Sequence, residues 1–173
     1  MAVIAIKDYE TYPSKYRPKV SKEELIQNYK NFNCITYGAF DINNMLCAFF
    51  EVIDRKSYFE LYHCKSMPEK QKGQLNAALI YTIITDLSDE IKDGKYLSNG
   101  QRNLNHQTNF NNDLCKYYGF RRAYCNLHIA INPKYKMVLY ILRPFRKLLI
   151  KFDKYRYIHQ INVVLKMDML SKE

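Results

Sequence analysis

Glu60 lies in Tyr58–Lys65, a run of alternating residues, and a carboxylate held among aromatic side chains in a strand suits general-base work near neutral pH once it is buried. Strict alternation puts Tyr58, Glu60, Tyr62 and Cys64 on one face and Phe59, Leu61, His63 and Lys65 on the other; with the parity reversed, Glu51 and His63 become the substitutes. A second polar cluster, Gly100–Phe110, falls between the end of a strand and the start of a helix, where clefts open. There Arg102 and His106 are placed to meet an anionic substrate or a phosphate. A third segment, Met67–Gly73, carries Lys70, Lys72 and Gly73 just ahead of a helix, whose first amides and positive end favour an anion.

The elements that must position these groups are marked by their own signals. Ser21-Lys22-Glu23-Glu24 is a capping box, and Leu25, Ile26, Tyr29 and Phe32 follow at helical spacing, which predicts a helix over Ser21–Phe32. The chain before it, interrupted at Tyr12-Pro13 and Arg17-Pro18, is expected to be irregular. Cys34–Phe40, Met45–Ile53 and Tyr58–Lys65 predict an antiparallel meander turning at Asp41–Asn44 and Asp54–Ser57. A helix over Gln74–Ile91, a strand Tyr96–Asn99, a helix Asn109–Tyr118 closed by Gly119, and an alternating strand Arg121–Ile131 complete a body over residues 1–133. Residues 134–173 are expected to form a helical extension packed on it. Two helices are predicted there, Lys134–Leu142 and Pro144–Leu170, although Ile161, Val163, Leu165, Met167 and Met169 also alternate as a strand would. The face bearing Phe145, Leu148, Leu149 and Phe152 is expected to pack on the domain or on a second copy, leaving Arg146, Lys147, Lys151 and Lys154 in solvent.

A chain of 173 residues, 47% of them hydrophobic, can build one good core, so a single domain is expected. Its apolar runs fall short of the ~20 residues a bilayer requires, and Ala2–Ile6 is too short for a signal-peptide core, which predicts a cytoplasmic protein. Five cysteines without a Cys-x-x-Cys pair and four histidines without ligand spacing predict free thiols and no structural metal. The net charge of +10 is concentrated: residues 134–173 carry +7 and residues 1–133 carry +3. Such a bias favours phosphate-bearing partners, whether nucleic acid, anionic lipid or a nucleotide-like cofactor.

The order helix, three antiparallel strands, helix, strand, helix, Gly119-Phe120 and strand resembles the GNAT acyltransferase fold, in an uncharacterised bacterial branch with a degenerate cofactor motif. The resemblance implies an α/β fold: a single GNAT-like domain, a mixed central sheet with splayed strands, helices on both faces and extra C-terminal helices. It also implies acetyl-CoA or another acyl-CoA in the cleft between the splayed strands, and no metal. In that family the loop after the third meander strand holds the cofactor pyrophosphate on backbone amides. The matching positions are Gln71, Lys72, Gly73 and Gln74, with Lys65 and Ser66 ending the strand before them; Gln74 and Asn76 stand where the family has small residues. A tyrosine four residues before the Gly-Phe pair often protonates the leaving thiolate. Cys115 takes that place, and a thiol with a reference pKa of about 8.5 can donate a proton. The implied reaction is N-acyl transfer to the amine of a small or sugar-linked acceptor, with Glu60 as base and Arg102 and His106 at the substrate. A Fem-type transferase taking aminoacyl-tRNA and a non-catalytic binding module are the alternatives within the same fold. A homodimer, tRNA or an anionic membrane surface are the partners that the basic tail suggests.

Overall fold

The computed structural model describes residues 1–31, 34–100, 109–123 and 127–172, and only the backbone at 31 and 71–73. The chain divides into two compact units, Met1–Tyr12 with Arg17–Gln101, and Pro13–Tyr16 with Arg102–Glu173.

The first unit is built on a four-stranded mixed sheet of order β1-β2-β3-β4, an open sheet with helices packed on it. β1 (Ile35–Phe40), β2 (Leu46–Asp54) and β3 (Tyr58–Ser66) form the expected antiparallel meander. Its turns are closed by aspartates: Asp41 Oδ1 accepts from the N–H groups of Asn43 and Met45, and Asp54 Oδ1 from that of Lys56. These side chains replace missing backbone partners where Asn44 and Lys56 take positive φ. After a 3₁₀ turn (Pro68–Gly73) come α3 (Leu75–Asp86) and the short α4 (Ser88–Lys92), which return the chain to β4 (Tyr96–Ser98), parallel to β3. The single helix expected over Gln74–Ile91 is thus two. Leu87 leaves helical geometry (φ −90°, ψ 10°), and Asp89 and Glu90 begin the next helix, where its positive end favours acids.

Two N-terminal helices cover one face of the sheet. α2 (Lys22–Asn31) begins as the capping box predicts: Glu24 N–H donates to Ser21 Oγ (3.1 Å) and Ser21 N–H to Glu24 Oε2 (2.8 Å). The residues expected to be irregular contain α1 (Ala2–Glu10), which buries Ala2, Ile4, Ala5 and Asp8. Ala2, Ile4 and Ala5 join Leu25 of α2 and Phe49 of β2 in one apolar cluster. A nine-residue helix is marginal alone and forms here on the packing of that stripe. α3 lies against β1, β2 and β3, with Leu79, Ile80 and Ile83 buried.

In the second unit, α5 (Phe110–Tyr117) ends as the sequence predicts, with Gly119 at φ +73° and the Phe120 N–H donating to the Leu114 carbonyl. The strand expected over Arg121–Ile131 is not formed by the described residues of that span. Residues 127–131 keep the alternation of half-buried and exposed side chains, but a strand needs a hydrogen-bonded neighbour, and no strand pairs with them among the described residues. α6 (Pro133–Leu142) is close to its expected span. The long helix expected from Pro144 is instead a 3₁₀ turn, α7 (Arg146–Lys151) and α8 (Arg156–Leu170). The break is held by Asp153: its carboxylate lies 3.0 Å from His159 Nδ1 and accepts from Asn162 Nδ2 (2.9 Å) and Lys15 Nζ (2.6 Å). The burial of His159, Asn162, Leu165 and Asp168, three apart, makes α8 helical and not the alternating strand. Phe145, Leu148 and Phe152 are exposed in the chain, and Leu149 is half-buried. Among the described residues no helix is long and apolar enough to cross a membrane.

Candidate active site on strand β3

One irregularity decides which side chains of β3 share a face. The pairing runs Glu51↔His63 and then Val52↔Leu61, so one step along β2 spans two along β3 and Tyr62 is the extra residue of a bulge. A bulge reverses parity beyond it. His63 and Lys65 therefore lie on the same face as Glu60, with Glu51 and Phe49 as their cross-strand partners, and Cys64 turns to the other face, where its thiol donates to Asn76 of α3 (3.3 Å). The strict alternation expected from the sequence does not hold past Leu61.

The face so assembled is covered by α1 and α2 and is rich in polar groups. Glu51, 1% exposed, places Oε2 3.0 Å from His63 Nδ1 and accepts from the Cys34 thiol at Oε1 (3.6 Å). His63 is half-open, its side chain 36% exposed, with the Tyr62 ring 3.9 Å away between centroids. A buried carboxylate behind a solvent-reaching imidazole fixes the orientation of the ring, the arrangement of a histidine base. Burial pushes the Cys34 thiol above its ordinary value, and the Glu51 charge adds to this. Close by, the Tyr29 hydroxyl is buried with no hydrogen-bond partner among the described residues. Burial first, and then the charge of Glu51, raise its phenol above the ordinary range.

A second polar group joins β3 to α1. Lys65 Nζ donates to Asp8 Oδ2 (3.0 Å) and to the Tyr12 hydroxyl (2.9 Å), which itself donates to Asp8 Oδ2 (2.9 Å); the Tyr9 ring lies 4.4 Å from the ammonium. Burial alone would lower the Lys65 pKa, but the bond to Tyr12 and the charge of Asp8 outweigh it and hold it above the usual lysine value. Burial also pushes the Cys64 thiol up to about 12, which leaves it unreactive.

The residues singled out from the sequence are distributed as follows. Glu60, with Ser98 of β4 as its register partner, accepts from Arg55 Nε (2.8 Å), and a Cβ at Gly100 would come within 3.3 Å of its Oε1. Lys65 and Ser66 are both buried at the end of β3. The backbone of Gln71, Lys72 and Gly73 forms the 3₁₀ turn, their side chains lying outside the described residues; Gln74 follows in the left-handed region (φ 55°) and opens α3. Cys115 is a half-buried thiol of α5 in the second unit, and Arg102 and His106 lie outside the described residues. Sequence reasoning missed the Asp8–Tyr12–Lys65 group because α1 was not foreseen, and an apolar stripe at Ala2, Ile4 and Ala5 was the only available signal. A shallow surface depression lined by Tyr81, Thr82, Thr85 and Asp86 of α3 shares no residue with this face.

The strand edge next to this face is open. β4 pairs with β3 through three residues, Tyr58↔Tyr96, Phe59↔Leu97 and Glu60↔Ser98, and β3 runs on to Ser66, paired with β2 but with no strand on its β4 side along Leu61–Ser66 among the described residues.

No protein-family model and no curated protein matches the chain. Among solved structures it is similar to an N-acetyltransferase, PaiA, from Thermoplasma acidophilum in complex with coenzyme A, at 20% identity over 51% of this chain and 64% of that one, with a TM-score of 0.39. The chain thus spans less than two thirds of that enzyme. It is also similar to an acetyltransferase of Trypanosoma brucei (11% identity, 75% and 91% covered, TM-score 0.45). A third similar structure is a GNAT-family acetyltransferase of Streptococcus pneumoniae (14% identity, 76% and 89% covered, TM-score 0.48).

Proposed function

We propose that the first unit is an N-acyltransferase, moving an acyl group from acyl-coenzyme A to the amine of a small or sugar-linked acceptor, with His63 as the base. The observation that carries this reading is the open edge of β3. Past Glu60 its backbone keeps β2 on one side but has no strand on the β4 side among the described residues, and an extended chain bearing amides, such as the pantetheine arm, is the natural partner for such an edge.

Two further observations fit a nucleotide-bearing thioester and an amine. α3 begins at Leu75 with no side-chain cap, so its first amides are free to meet a pyrophosphate. The buried, unpartnered Tyr29 hydroxyl supplies a donor to a polar atom of the acceptor. Acyl-CoA, when bound, supplies the activated acyl group. The chain's own residues handle the proton: Glu51 holds the Nδ1 side of His63, which leaves Nε2 to take the proton that the amine loses as its nitrogen bonds to the acyl carbon. Glu60, already engaged by Arg55, is better placed to hold the acceptor than to accept that proton. The departing thiolate takes its proton from water.

Calorimetry with acetyl-CoA, and thiol release in the presence of a panel of amines, test this. Gly73→Asp should weaken acetyl-CoA binding by placing a carboxylate where amides meet phosphate. His63→Gln should keep that binding and lower thiol release by about 10²–10⁴-fold. A folded wild-type protein that binds no acyl-CoA refutes the reading; one whose His63→Gln variant keeps full turnover refutes the base.

A further inference from the structure

α6 is apolar around most of its circumference, yet Leu139 is its one buried residue. Tyr135, Met137, Val138, Tyr140 and Ile141 are 48–73% exposed. A helix apolar around most of its circumference belongs in apolar surroundings, and among the described residues this one lacks a covering. The surface continues into the next segment, where Phe145, Leu148, Ile150 and Phe152 are 45–53% exposed.

Positive charge is interleaved with this surface and is not neutralised within the unit. Lys134, Lys136, Lys147, Lys151 and Lys154 have no acidic partner among the described residues. The nearby acids are engaged elsewhere: Asp153 with Lys15, and Asp168 with Arg143 and Lys172. Residues 134–173 carry a net charge of +7.

We propose that the α6–α7 surface docks on an anionic lipid bilayer, lying along the interface without crossing it. A ten-residue helix is too short to span but long enough to lie flat, with its apolar side chains among the acyl chains and its lysines reaching back to the headgroups. Tyr135 and Tyr140 suit the boundary between the two, with an apolar ring and a polar tip. Charge complementarity selects this occupant. A second copy would bring a like charge of +7 against this one, and a nucleic acid would use the lysines but leave Met137, Val138, Ile141 and Ile150 in water.

The test is flotation of the full chain with vesicles of phosphatidylcholine, with and without phosphatidylglycerol. The protein should float with the anionic vesicles, stay behind with the neutral ones, and be released as salt is raised. The double variant Met137→Asp/Ile141→Asp should lower binding by about tenfold or more, because it removes the apolar half of the attraction. Lys147→Glu/Lys151→Glu should do the same by removing charge. All four positions are exposed, so the melting temperature should hold. Failure to float with anionic vesicles, equal flotation with neutral ones, or flotation unchanged in both variants overturns the proposal. So does a stable dimer in light scattering that dissociates in the Met137→Asp/Ile141→Asp variant without any vesicle binding, or binding of tRNA in place of vesicles.

Discussion

Replacing Lys65 by methionine tests whether α1 is held to the sheet by a buried charge. Lys65 and Asp8 are each 9% exposed at the side chain, their atoms 3.0 Å apart. Removing one member of such a pair costs about 3–5 kcal/mol, because the other charge stays buried without its counter-ion. The Tyr12 hydroxyl still donates to Asp8 in the variant, and methionine keeps most of the stem's packing, so about 3 kcal/mol is expected. The double variant Asp8→Leu/Lys65→Met removes both charges and should recover about 2 kcal/mol of that loss, a coupling typical of residues in direct contact. The chain has sixteen tyrosines and no tryptophan, so urea unfolding is best followed by far-ultraviolet circular dichroism, with hydrogen exchange at α1 and β3 to localise the effect. The pH dependence has a definite sign. The folded-state pKa of Lys65 is raised above 10.5, so its contribution is complete below that pH and is lost as pH rises through the folded value. Lys65→Met should therefore flatten the alkaline limb of the stability profile. A single variant that loses less than about 1 kcal/mol, or a double variant that loses the full sum of the two singles, would refute the buried-pair account.

Other variants probe the local signals. Ser21→Ala breaks the reciprocal pair with Glu24 and should cost about 1 kcal/mol in urea unfolding, with the exchange protection of α2 falling first. Gly119→Ala places a Cβ at φ +73° with no atom within 4 Å to clash, so its cost of about 1 kcal/mol would be purely conformational; a neutral result would mean that α5 ends differently. The bonds from Lys15, Asn162 and His159 outweigh burial and hold Asp153 at about 2, so it stabilises the fold above its ordinary value of 3.8 and loses that contribution as pH falls from 3.8 towards 2. Solvent reaches nearly a third of this side chain, so the contribution is about 1 kcal/mol, and Asp153→Asn should lose the corresponding acid-limb slope in melting between pH 4 and 2.

Much of this protein is determined by short-range chemistry that the sequence displays outright. The capping box at Ser21, the three meander strands with their aspartate turns, and the glycine that ends α5 each depend on residues within a few positions of one another, and each formed where the sequence places it. What the tertiary structure alone decided is long-range. A single extra residue at Tyr62 sets His63 beside Glu51 and moves Lys65 to the face of Glu60, and nothing local distinguishes that bulge from continued alternation. The Lys65–Asp8 pair joins residues 57 positions apart through a helix that forms only because Phe49 and Leu25 bury its stripe. Arg121–Ile131 alternates as a strand does, but alternation prepares a face and does not supply a neighbour, and backbone hydrogen bonds to a neighbouring strand make a strand.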